Sequence, residues 1–209
     1  MKIRGFVQST FCKLAAGGIV NMNTSNKNIS NPAIDIRNTK KLGFGLMRLP
    51  RKGLGIDIKQ TSEMVDLFLE AGFTYFDTAH VYPGSEDATR KALVERHPRE
   101  NYTIATKLFA PVAFSAEMAR KQFDTSLKRT GAEYIDYYLL HSLMENNYKS
   151  YEKYGLWEYV DELKKKGLVR HVGFSFHAGP RLLEQILKEH PEVEFVQLQK
   201  MKSSSRSEE

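Results

Sequence analysis

From Leu42 to Gln199 two kinds of apolar run alternate along the chain. Met64, Val65, Phe68 and Ala71 recur at helical spacing, and Gly72 is placed to end that helix. Aromatic and β-branched residues follow, predicting a short strand that closes on Asp77. Ser85 reads as the N-cap of a helix running to Arg96, with Pro98 as its stop. Tyr102–Leu108 predicts a strand, and Ala116, Ala119, Phe123 and Leu127 mark one face of a helix between Ser115 and Gly131. Three more strands (Tyr134–Ser142, Val169–His177, Val193–Gln199) are separated by two helices. The first helix carries Leu156, Trp157, Val160 and Leu163, and the second, starting at Pro180, carries Leu182, Leu183, Ile186 and Leu187. Ahead of all these, Leu42–Pro50 reads as a buried strand with two glycines.

These strands are near-continuous apolar runs, the pattern of parallel sheets covered on both faces. Repeated β-α units of about 25–35 residues predict a parallel α/β fold, either a (β/α) barrel or a doubly wound sheet. Residues 1–38 fall outside the pattern. Apolar residues after Met1-Lys2-Ile3-Arg4 resemble a secretory leader, but Gln8, Ser9 and Lys13 interrupt the core that such a leader needs. Asn21–Asn38 is polar, so 1–38 is expected to be a disordered or irregular arm, and Met22 is an alternative start. The Ser-, Lys- and Glu-rich stretch 200–209 is expected to be a disordered tail, leaving 39–199 as the folded unit.

Charge separates the same regions. The chain carries +6, yet residues 1–52 hold ten Lys/Arg and one acid (+9), and the tail from Lys200 adds +1. Residues 53–199 therefore carry 6 − 9 − 1 = −4, which argues against a nucleic-acid surface on the folded unit. One cysteine, Cys12, precludes an intramolecular disulfide and fits a reducing, cytoplasmic setting. No run of eighteen apolar residues is present, so no membrane span is expected.

The polar residues distinguish the two α/β architectures. Asp77, Lys107, His141 and Ser175 stand at or near the ends of consecutive predicted strands, with Tyr82 in the loop after Asp77. Barrel sites collect at the C-terminal ends of the strands, so these residues should converge on one patch. A doubly wound sheet would spread them along an edge. Each has a plainer reading alone: Lys107 as an exposed strand-end lysine, His141 as a core-edge histidine, Tyr82 as a packed ring. Together they could fill the roles that carbonyl reduction asks for. Carbonyl reduction leaves an alkoxide that needs a positioned acid. Tyrosine can supply that proton if a neighbouring ammonium lowers its pKa, and a carboxylate keeps the ammonium in place. A histidine can orient the carbonyl.

The run Asp77-Thr78-Ala79-His80-Val81-Tyr82, continued by Gly84-Ser85-Glu86, resembles the signature of the aldo-keto reductases. Leu42-Gly43-Phe44-Gly45, Ala105-Thr106-Lys107 and Leu139-Leu140-His141-Ser142 extend the likeness. The resemblance implies a (β/α)8 TIM barrel and reduction of aldehydes or ketones by hydride transfer from NADPH, with NADH as the alternative. It also implies a catalytic tetrad of Asp77, Tyr82, Lys107 and His141, and no metal. Ser175 and Gln197 correspond to residues that hold the nicotinamide carboxamide, and Gly45 is read either as a further cofactor contact or as tight packing at the barrel floor. Phe176 departs from the pattern, since asparagine is usual after the serine. In its whole pattern the chain resembles bacterial, especially anaerobe-type, members.

The resemblance covers about residues 42–199 and ends after the sixth barrel strand, so the expected barrel is incomplete and truncated. Two functions compete: a reductase with its chemical residues intact, and a non-catalytic remnant or partner chain that completes its barrel with another protein. The expected partners are a small carbonyl substrate and, through open barrel edges, a second copy; neither nucleic acid nor membrane is expected.

Overall fold

The computed structural model describes residues 10–13 and 40–198. In chain order these form β1 (Thr10–Lys13), β2 (Gly43–Gly45), a hairpin of β3 (Arg51–Lys52) and β4 (Gly55–Ile56), α1 (Ile58–Glu70) and β5 (Tyr75–Asp77). Next come α2 (Ser85–Thr89), continued by a π-helical turn (Arg90–Val94), then β6 (Thr103–Leu108), α3 (Ala116–Thr130) and β7 (Ile135–Leu143). The short α4 (Tyr148–Lys153), α5 (Leu156–Lys165), β8 (Val169–Phe176), α6 (Pro180–Glu189) and β9 (Phe195–Leu198) complete the fold.

Strands β2, β5, β6, β7, β8 and β9 are parallel, and they neighbour one another in chain order. A doubly wound sheet would reverse its strand order partway. Curvature gives the same answer. Gln197 on β9 donates from Nε2 to Oδ2 of Asp77 on β5 at 3.0 Å, although three strands lie between them. A flat sheet would hold those strands roughly 19 Å apart. The sheet is thus six strands of a (β/α)8 barrel.

The alternation of side chains along strands then sorts the core. Even-numbered positions such as Phe76, Ile104, Tyr138, Leu140, Phe174 and Val196 pack against the helices. A second cluster of odd-numbered positions, Tyr75, Ala105, Tyr137, Leu139 and Phe195, fills the inside of the barrel. Two glycines make room for these rings. A Cβ on Gly173 would lie 2.5 Å from the Phe195 carbonyl oxygen, and one on Gly43 would lie 2.7 Å from the Tyr75 ring.

Three local expectations change. The strand expected over 42–50 stops at Gly45, where the chain turns into the hairpin. Ser85 is not an N-cap: Gly84, at φ 71°, holds that position. The Ser85 hydroxyl instead donates to the Leu46 carbonyl at 2.9 Å and pairs with Thr78 Oγ1 at 2.7 Å, tying the loop after β5 to β2. Within the N-terminal arm, β1 lies antiparallel along β9, Thr10 opposite Leu198 and Lys13 opposite Phe195. The expectations for 1–9, 14–39 and 199–209 lie outside the described residues. Among the described residues no helix is long and apolar enough to cross a membrane.

Candidate active site

The inward positions nearest the C-terminal ends of the strands carry the polar residues. Asp77, Lys107, His141, Ser175 and Gln197 are all odd-numbered members of β5 to β9, so alternation alone turns them to one side. Lys107 is the deepest, with a side chain only 2% exposed. Its ammonium donates to Asp77 Oδ1 at 2.5 Å and to the Thr78 carbonyl at 2.7 Å. Asp77 Oδ2 accepts from the Tyr75 hydroxyl at 3.2 Å and from Gln197. The buried charge is therefore paired and both carboxylate oxygens are bonded, as burial of an ion pair requires.

Tyr82 reaches this pair from the loop after β5. Its ring centre lies 5.3 Å from Lys107 Nζ and 5.6 Å from the His141 ring, which it meets edge-on. Phe109, one residue beyond β6, also packs against His141, at 5.5 Å. The predicted quartet is brought together. Its electrostatics differ from expectation: the Tyr82 hydroxyl is raised, not lowered. Burial disfavours the tyrosinate by more than the Lys107 charge favours it. His141 is held down at about 3, mostly by burial, with the charges of Lys107 and His177 adding to the effect. It is neutral at pH 7, and its Nδ1 is buried without a hydrogen-bond partner.

Ser175 and Gln197 are register partners on β8 and β9. Ser175 Oγ accepts the Ser142 backbone N–H at 2.6 Å, which leaves its own O–H as a donor. Gln197 uses an N–H on Asp77, which leaves its amide oxygen as an acceptor. One donor beside one acceptor complements a carboxamide, so these residues fit the nicotinamide end of the expected cofactor. Gly45 pairs with Asp77, and a Cβ there would meet nothing within 4 Å. Phe176, on the outward side of β8, is buried in the core. His177 stands just beyond β8.

Sequence reasoning missed Tyr75, Thr78 and Phe109. Tyr75 had a legible signal, because it precedes Asp77 by two residues and so shares its face. Thr78 contributes through a backbone carbonyl, which no side-chain pattern announces.

Comparison with known proteins shows the family. Residues 41–205 match the model of the aldo/keto reductase family. An aldo-keto reductase of Mycolicibacterium smegmatis is 29% identical over 145 residues, covering 68% of this chain and 50% of the relative. Human aldo-keto reductase family 1 member C3 is 30% identical over 165 residues, covering 70% and 49%. The chain thus spans about half the length of these relatives. Among solved structures, an aldo/keto reductase from Brucella melitensis superposes with a TM-score of 0.57 at 28% identity, covering 73% of this chain and 55% of its own. One from Klebsiella pneumoniae, solved in complex with NADPH, has a TM-score of 0.58 at 19% identity, covering 72% and 51%, a likeness of fold. A family match over most of the chain, on a barrel carrying this cluster, means that the chain belongs to the aldo/keto reductase family.

Proposed function

We propose that this protein is an NADPH-dependent oxidoreductase that reduces aldehydes or ketones, with Tyr82 as the proton donor. The observation that carries the reading is the buried Lys107–Asp77 pair set beside Tyr82 and His141. When bound, the nicotinamide cofactor supplies the hydride. Ser175 and Gln197 would hold its carboxamide, and Gly45 would leave room for it, with NADH as the alternative cofactor.

The residues of the chain supply the rest. His141 is neutral and its Nδ1 has no acceptor among the described residues. A buried N–H without an acceptor is rare, so the proton belongs on Nε2, from which it can be donated to a carbonyl oxygen. The raised pKa keeps Tyr82 protonated until it is needed. Once the proton leaves, the adjacent ammonium stabilises the tyrosinate, and Asp77 keeps that ammonium from moving. Burial thus holds the acid in reserve, and Lys107 eases its discharge.

One observation favours a second reading, in which the chain completes its barrel against another protein. Among the described residues β2 is paired on one side only. Size-exclusion chromatography, NADPH fluorescence titration and aldehyde-dependent NADPH oxidation on the full chain separate the two. Turnover that Tyr82→Phe abolishes supports the reductase. Oligomers with no cofactor signal and no turnover support the second reading.

A further inference from the structure

The chain immediately after His141 has an unusual backbone. Ser142 has φ 56°, the only positive φ outside glycine among the described residues, and the β7–β8 pairing shifts register between Leu140 and Leu143. A side chain in that left-handed region is disfavoured unless its surroundings enforce it. Here four contacts do. The Ser142 N–H donates to Ser175 Oγ at 2.6 Å. The Ser142 carbonyl accepts from Asn147 Nδ2 at 2.8 Å, and Asn147 Oδ1 accepts the Met144 N–H at 2.9 Å. The hydroxyl of Tyr151, a fully buried residue of α4, donates to the His141 carbonyl. The backbone of Ala110, just past the strand that carries Lys107, also faces the Tyr151 hydroxyl. Meanwhile the His141 ring has edge-on aromatic neighbours, Tyr82 and Phe109, and a buried nitrogen without a partner. Its orientation is not set by a hydrogen bond at Nδ1, which leaves ring packing and the backbone it hangs from.

We propose that Tyr151 and Asn147 are positioning residues: they clamp the left-handed turn at Ser142 and so aim His141 at the substrate carbonyl. The proposal deepens the reductase reading and rests on its role for His141. Tyr151 fixes the carbonyl on one side of the turn, and Asn147 fixes the next. Neither is placed to touch the reacting atoms.

The test compares isotope-labelled full-length wild type, Tyr151→Phe, Asn147→Ala and Ser142→Gly by NMR without cofactor, with His141→Gln used to assign the ring. Wild-type His141 should stay neutral at pH 5, because burial, Lys107 and His177 all oppose its protonation. In Tyr151→Phe and Asn147→Ala the ring should broaden and titrate nearer its ordinary pKa of about 6.5, while His80 keeps its resonances. Ser142→Gly should melt at or above the wild-type temperature, since glycine accepts the left-handed conformation, yet also loosen the ring. That opposition of stability and order is something a purely structural role would not produce. Where the wild type reduces a carbonyl, Tyr151→Phe should lower kcat about fivefold or more with the KM for NADPH nearly unchanged. If Tyr151→Phe does not fold, the other two variants decide. Folded variants with His141 signals and titration like wild type would overturn the clamp. A wild type with no carbonyl reduction would overturn the reductase reading instead, and the NMR comparison would still judge the clamp.

Discussion

At the C-terminal ends of the strands Asp77 faces Lys107, and at the N-terminal ends Asp136 faces Arg99 and Arg170. Both carboxylates are bonded on both oxygens. Asp136 accepts from Arg99 at 2.5 Å, from Arg170 at 3.1 Å and from the Ile104 N–H at 2.8 Å. The two guanidinium groups also lie over the Tyr134 ring, at 4.0 and 4.1 Å from its centre. That cluster joins the loop before β6 to β7 and β8, and the valences of its carboxylate go into holding strands together. Around Lys107 the pairing is as tight, but beside it stand a protonated Tyr82 and a histidine with an unpartnered nitrogen. A carboxylate–cation pair therefore says little by itself. What separates the two ends is the kind of uncommitted group next to the pair: a phenol and an imidazole that can exchange a proton at the C-terminal end, and at the other only Arg99 Nε, a donor that keeps its proton.

Substitutions should show that division. Asp136→Ala leaves two arginines without their buried acid and should cost about 3–5 kcal/mol in denaturant unfolding. Any carbonyl reduction should survive in the folded fraction. Asp77→Ala strands Lys107 in the same way and should be comparably destabilised. The double change Asp77→Asn with Lys107→Met removes both charges and should melt higher than Asp77→Ala. Equal melting temperatures would mean that Lys107 is not a buried charge. Tyr82→Phe should reverse the pattern: about a hundredfold loss of carbonyl reduction, roughly 2.7 kcal/mol, with a melting temperature within about 2 °C of wild type.

The smallest effect belongs to Glu194, also at the N-terminal end. Burial alone would raise its pKa, but hydrogen bonds from His171, Lys164 and the Val172 N–H bring it down to about 2. A lowered carboxyl stabilises the fold fully above its unfolded pKa of 4.5 and progressively less as pH falls toward 2. With the side chain 31% exposed, solvent screening reduces the effect to about 1–2 kcal/mol. Unfolding followed between pH 5 and 2 should therefore show a steeper loss for wild type than for Glu194→Gln.

The stabilising cluster was invisible in the sequence and the chemical one was not, for a physical reason. Asp77, Lys107, His141, Ser175 and Gln197 lie at or near strand ends, so counting positions along each predicted strand brings them together. Asp136 depends on arginines from a 3₁₀ turn and from the next strand, and residue spacing does not foretell that meeting. Helices with a clear apolar face, such as α3 and α5, were legible. The hairpin of β3 and β4 and the six-residue α4 were not, because two-residue strands and a single turn and a half of helix show no period. The raised pKa of Tyr82 escaped as well. Sequence shows that a lysine is near, but not how deeply the phenol is buried.

The pairing of β1 with β9 has a consequence for how the chain is made. Thr10–Lys13 leaves the ribosome early, while its partner Phe195–Leu198 is synthesised some 185 residues later. At about 5–20 residues per second, the nascent strand waits roughly 10–40 s for the edge it will join. Through that interval its backbone donors and acceptors have no ladder to enter, while the five earlier parallel strands emerge without it. The edge of β9 is thus sealed by the strand that, among the described residues, is made first.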